Sequence, residues 1–149
     1  MKKVVVLLIS IFFTAVFFSQ TANAQTEAQR VELCTRVAGN VTFQSSYPIK
    51  LQAAVDGGRP PTFRQGIVLR KGNAYRFTLC TDEDSAGEAI LTVFDEGRPI
   101  GSTFIPSTGV SYPSIDIECN KTAPYVIMVT FRDGKEGSAV AILSHVKTL

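Results

Sequence analysis

The chain has no tryptophan, one histidine and two methionines. A single histidine argues against a cysteine–histidine zinc site, which needs several such ligands at fixed spacing. No C-x-x-C pair is present, so a dithiol redox motif is absent. No G-x-S-x-G elbow is present either, and nothing else marks a raised serine nucleophile. The one histidine, His145, follows Ser144 in a β-like run, and adjacent strand residues point to opposite faces, so the two cannot act as a couple. Without tryptophan, a sugar-stacking surface falls to Tyr47, Tyr112 and Tyr125, each of which flanks a proline or a loop. After residue 18 no apolar run approaches the roughly 20 residues that a spanning helix needs.

The first 24 residues are the most specific signal present. Lys2 and Lys3 give a positive start, Val4 to Phe18 is apolar save for Ser10 and Thr14, and Ala22-Asn23-Ala24 precedes Gln25. Charge, apolar core and A-x-A site in that order define a secretory signal peptide. The apolar core is too short for a membrane anchor, and no cysteine stands at the cleavage point to carry lipid. Cleavage is expected after residue 24, giving an exported, soluble chain in a periplasm or outside the cell.

Lys2 and Lys3 leave with the leader, so the 15 basic residues become 13, matching the 13 acidic ones. The mature chain is formally neutral, which speaks against nucleic-acid binding. Its charge is uneven. Arg30 to Arg76 holds eight basic residues against Glu32 and Asp56, whereas Phe77 onward holds five basic and ten acidic ones. Either the halves complement each other in one fold, or Arg64, Arg70 and Arg76 form a docking face for an acidic partner.

Period-2 alternation predicts the fold class. Strands are expected over Ile67–Leu69, Ala74–Cys80, Ala89–Phe94, Pro99–Ile105, Ser114–Cys119, Tyr125–Phe131 and Ser138–Val146, with Gly, Pro, Asn and Asp between them. That spacing indicates an all-β, antiparallel β-sandwich or jelly-roll-like single domain. Before it, Thr26 to Val37 reads as a short helix or a leading strand, Ile49 to Val55 as a strand, and Asp56 to Pro61 as a turn-rich loop. The expected division is signal peptide 1–24, an N-terminal segment 25–65 packing on the sandwich, and a core over 66–149.

Gly72-Asn73-Ala74-Tyr75-Arg76-Phe77-Thr78-Leu79 resembles the second strand of the bacterial prepeptidase C-terminal-type sandwich. Leu91-Thr92-Val93-Phe94-Asp95 with Gly97 resembles its strand–Asp–turn–Gly hairpin. Ser114–Ile117 and Tyr125–Val129 resemble its closing strand pair. The pattern is also similar to small stand-alone exported bacterial proteins of unknown function with a Tyr-Arg-Phe strand ending in Cys. The likeness runs from about Gly66 to Val146. Members of the first family are usually appended to secreted enzymes, which implies an accessory rather than catalytic role.

Three cysteines in an exported chain imply one bridge. Cys34–Cys80 is the expected pair, because the irregular N-terminal part gains most from a staple; Cys119 is then free, or the alternative partner. Asp82, Asp84 and Glu88 form the densest carboxylate group and the candidate Ca²⁺ ligands, although no EF-hand-like spacing follows. Asp84-Ser85-Ala86 resembles an O-glycosylation sequence of exported bacterial proteins, with Ser85 as acceptor. Together these features indicate a non-catalytic exported binding or accessory protein acting on an envelope or extracellular protein partner. A glycan- or Ca²⁺-binding module and a small hydrolase using His145 are the rivals, and no cofactor is called for.

Overall fold

The computed structural model describes residues 26–149, and the expected leader lies outside the described residues. Helix α1 (Glu27–Ala38) comes first, followed by ten strands: β1 (Thr42–Leu51), β2 (Phe63–Leu69), β3 (Asn73–Thr81), β4 (Ala89–Asp95), β5 (Arg98–Ser102), β6 (Phe104–Ile105), β7 (Val110–Ser111), β8 (Ser114–Cys119), β9 (Ala123–Phe131) and β10 (Gly137–Thr148). Two four-stranded sheets, ordered β1-β10-β3-β8 and β2-β9-β4-β5, face each other, and β6 pairs only with β7. Every pairing is antiparallel.

The alternation read from the sequence is matched by alternating burial in β4, whereas in β3 Ala74 and Thr78 of the opposite face are buried too. Tyr75, Phe77 and Leu79 of β3 point between the sheets, meeting Leu91 and Val93 of β4 and Tyr125, Ile127 and Val129 of β9 in one core. Burying each such side chain contributes roughly 1.5–3 kcal/mol. Strand β10 departs from the pattern: residues 139–144 are all buried. Ala139, Ala141 and Leu143 face the inter-sheet core. Val140 and Ile142 face the other way, beneath α1.

Helix α1 forms because Thr26 caps it. The Thr26 hydroxyl accepts from the Gln29 N–H and the Gln29 side chain accepts from the Thr26 N–H, satisfying two otherwise orphaned donors. Val31, Cys34 and Ala38 lie on one face at helical spacing and pack on β10 and β3. Three ties reinforce this apolar contact. Cys34 is bonded to Cys80 with their Cα atoms 5.8 Å apart, Arg30 pairs with Asp82 at 2.5 Å, and Arg76 donates to the Ala38 carbonyl at 3.0 Å.

Two expectations are corrected here. Residues 25–65 are not an appendage, because β1 and β2 are members of the two sheets and the boundary at 65/66 falls inside β2. Of the regular elements in that segment, only α1 lies outside the two sheets. Strand β1 also starts at Thr42, well before the expected Ile49, and ends at Leu51. Its first half is exposed and polar because β1 is an edge strand with a single neighbour, β10, and Pro48 sits where an edge tolerates a missing donor.

The bridge closes a loop with a sequence separation of 46 residues. On the chain-entropy model such a loop is worth about 4 kcal/mol. Cys34→Ser with Cys80→Ser is expected to lower unfolding free energy by roughly 2–4 kcal/mol, read from the midpoint of a urea titration.

Candidate functional site

The structure disperses most of the residues singled out above. The carboxylates of Asp82, Asp84 and Glu88 do not converge: Arg30 holds Asp82, Arg132 stands 3.6 Å from Glu88, and among the described residues no three His, Cys, Asp or Glu side chains could hold a metal. Arg64, Arg70 and Arg76 do not make one face. Arg64 points outward from the second sheet, whereas Arg76 lies on the outer side of the first, bound through two nitrogens to Asp116 at 2.7 Å. Ser85 is not a free acceptor, since its hydroxyl donates to the Ser138 carbonyl and accepts from the Ser138 N–H, both at 2.8 Å.

The histidine reading resolves the same way. His145 Nε2 lies 3.0 Å from Asn73 Oδ1, and its ring meets Tyr75 edge-on. Ser144 faces away from it, fully buried. The three tyrosines form no stacking platform, because Tyr125 is buried, Tyr47 is half-buried on β1 and Tyr112 stands exposed on a separate loop.

Cys119 is free and buried, as the cysteine count allowed. Its Sγ lies 2.9 Å from the Lys121 carbonyl and 3.6 Å from the Tyr125 hydroxyl, which itself donates to that carbonyl. Burial, reinforced by the hydrogen bond with Cys119, pushes the Tyr125 phenol up to about 12.

The feature that stands out from the sandwich is one that alternation did not reveal. The expected strand Pro99–Ile105 breaks at Thr103. β5 ends at Ser102, and β6 leaves the sheet to form a hairpin with β7 that then delivers the chain to β8 in the other sheet. Thr103 is the hinge of that departure. It is 2 % exposed, its hydroxyl accepts from the Leu91 N–H at 3.0 Å, and its own N–H donates to the Leu91 carbonyl. The Tyr112 N–H donates to the Thr103 carbonyl and closes the hairpin base.

The tip is held by its own backbone. The Thr108 and Gly109 N–H groups both donate to the Ile105 carbonyl, and the Val110 N–H donates to the Thr108 hydroxyl. Gly109 supplies the positive φ of 70° that this turn requires. The result is an ordered projection carrying exposed Ile105, Val110 and Tyr112. Residues 99–115 contain no charged side chain, in a chain that is 19 % charged. Exposed apolar groups on a pre-ordered, uncharged projection are what binding surfaces present, because little entropy is lost on docking.

The likeness to solved structures agrees with the sandwich. The chain is similar to PliG of Aeromonas hydrophila, a periplasmic inhibitor of g-type lysozyme, with a TM-score of 0.51 and 13 % identity, over 70 % of this chain and 87 % of that one. It is also similar to the pre-peptidase C-terminal domain of a Bacillus anthracis collagenase, with a TM-score of 0.48 and 9 % identity, over 69 % and 90 %. At 13 % identity the likeness to PliG is one of fold. A scan against protein-family models gives no match, and neither does a search of the curated proteins. Among the described residues no helix is long and apolar enough to cross a membrane.

Two outcomes follow. Thr103→Val leaves the Leu91 N–H in the core without the hydroxyl acceptor, and is expected to cost about 1–3 kcal/mol in a denaturant titration. In an alkaline absorbance titration Tyr125 should ionise well above the ordinary phenol range, and Tyr125→Phe should remove that step. The sign is fixed by the raised value: the Tyr125 contribution to stability is complete below the ordinary phenol range and is lost as pH rises through about 12.

Proposed function

We propose that this protein is a non-catalytic, exported binding protein that engages a protein partner through the β6–β7 hairpin. The observation that carries this reading is the ordered, uncharged tip with Ile105, Val110 and Tyr112 exposed. The leader-like first 24 residues support export. The sandwich lends support of a coarser kind, since a fold of this type serves in PliG as a periplasmic inhibitor. That the protein is no enzyme is supported by its sole histidine, which is committed to Asn73 rather than to a nucleophile or a carboxylate.

The neighbour names the first partner class to test, a lysozyme. A tip that enters a partner's recess concentrates its binding energy in a few apolar and aromatic side chains. Purified mature protein is expected to form a complex with a g-type lysozyme and to slow its cleavage of cell walls. Ile105→Ser with Val110→Ser, which removes the apolar pair without opposing two charges across the ladder, should weaken that complex by about 2 kcal/mol or more, roughly 30-fold, and a melting curve of the variant reports whether the fold is intact. If no lysozyme binds, a photo-crosslinking residue placed at position 110 in the native host tests the broader reading. Recovery of no crosslinked protein from position 110 would overturn it.

A further inference from the structure

A concave feature lies beside the hairpin. It is an open cleft of about 750 Å³ between the turn at 54–58, the hairpin base and the short 3₁₀ turn Arg132–Gly134. That volume falls within the range of small-ligand sites. Ile90, Phe104 and Pro106 supply apolar wall, and Arg132, Asp56 and Asp133 supply charge of both signs.

Arg132 is the informative residue. Its guanidinium carbon sits 4.7 Å from the centre of the Phe104 ring, a cation–π stack that fixes the plane of the fork. Yet among the described residues that guanidinium donates no hydrogen bond. The nearest carboxylate, Glu88, is 3.6 Å away, beyond hydrogen-bonding reach. A guanidinium usually satisfies a carboxylate through two parallel bonds, as Arg76 does with Asp116. Here the stacking geometry is in place, and Glu88 reaches the fork through one nitrogen only, at ion-pair distance, so no acceptor holds it bidentately. The next residue, Asp133, holds a φ of 58°, an uncommon conformation for a side-chain-bearing residue, and lines the same cleft.

We propose that this cleft binds a short apolar peptide with free termini. The peptide's terminal carboxylate takes the fork of Arg132 in place of the loose pairing with Glu88, its ammonium is balanced by Asp56 and Asp133, and its side chains lie against Ile90, Phe104 and Pro106. A ligand carrying both charges satisfies both signs of the cleft, whereas a simple anion meets two carboxylates and a simple cation meets Arg132. No bond is made or broken. The cleft shares Phe104 and Pro106 with the hairpin but not Ile105, Val110 or Tyr112, the exposed residues on which the lysozyme reading rests.

The test is calorimetric titration of the mature protein with alanyl-leucine, its C-terminal amide and its N-acetyl form. The free dipeptide is expected to bind saturably below roughly 10 mM, as its size allows. The amide should bind at least about tenfold more weakly, and the N-acetyl form should fall between the two. Arg132→Gln should abolish the preference for the free carboxylate. Arg132→Lys, which keeps the charge and loses the fork, should retain only part of it. Both variants lie at an exposed position, and their melting curves report whether the fold is intact. Absence of saturable binding to the wild-type protein overturns the proposal, as does equal affinity for acid and amide, or an Arg132→Gln protein that still discriminates between them.

Discussion

The architecture depends on β10 being buried on both of its faces. A strand in a two-layer sandwich ordinarily shows one face to the core and one to water. β10 instead fills the centre of the first sheet, between β1 and β3, with Ala139, Ala141 and Leu143 against the second sheet and Val140 and Ile142 beneath α1. The alanines on the inner side let the sheets approach, and the β-branched residues on the outer side give the helix something to pack on. Remove that double burial and α1 has no floor, β1 has no neighbour and the disulfide has nothing to staple. The helix therefore belongs to the sandwich energetically although it lies outside both sheets.

The hairpin and the cleft are both products of how the chain leaves the second sheet. Thr103 turns the backbone out of β5 by trading a strand partner for two bonds with Leu91. Everything from Phe104 to Tyr112 is then free of the two main sheets and available for display. Phe104, the first residue of the excursion, turns toward Arg132 and helps wall the cleft, while Ile105, Val110 and Tyr112 are exposed to solvent. One buried hydroxyl thus sets the position of two surfaces with different chemistry, a neutral apolar projection and a recess carrying both charges.

Much of the fold was legible in the sequence, and the reasons it failed in places are local. Strands β4, β8 and β9 announce themselves because one side of each is more deeply buried than the other, which favours alternation, as in Leu91 and Val93 against Ile90 and Thr92; β3 alternates in sequence although Ala74 and Thr78 on its other face are buried as well. The first half of β1 carries no such signature, since an edge strand with exposed faces has no periodic constraint on its side chains. Cys34–Cys80 could be preferred on grounds of where a staple helps most. The acidic group around Asp82 could not be judged, because its partners Arg30 and Arg132 come from α1 and from the end of β9, and ion pairing across a fold leaves no trace in local spacing. The Arg64, Arg70 and Arg76 set failed for a related reason, that neighbours in sequence were sent to different sheets. Of the hairpin, the uncharged run 99–115 was visible. Its projection was not, because Thr103 reads like any other β-branched strand residue until Leu91 is placed beside it.

The covalent loop from Cys34 to Cys80 contains both β1 and β3, the two strands between which β10 lies. Neighbouring strands sit about 4.8 Å apart, so the loop spans a gap about two strand spacings wide. The bridge joins α1, whose chain enters β1 after only three intervening residues, to β3, so in the oxidised unfolded chain the two strands that flank β10 stay within one closed loop and have less conformational freedom to lose.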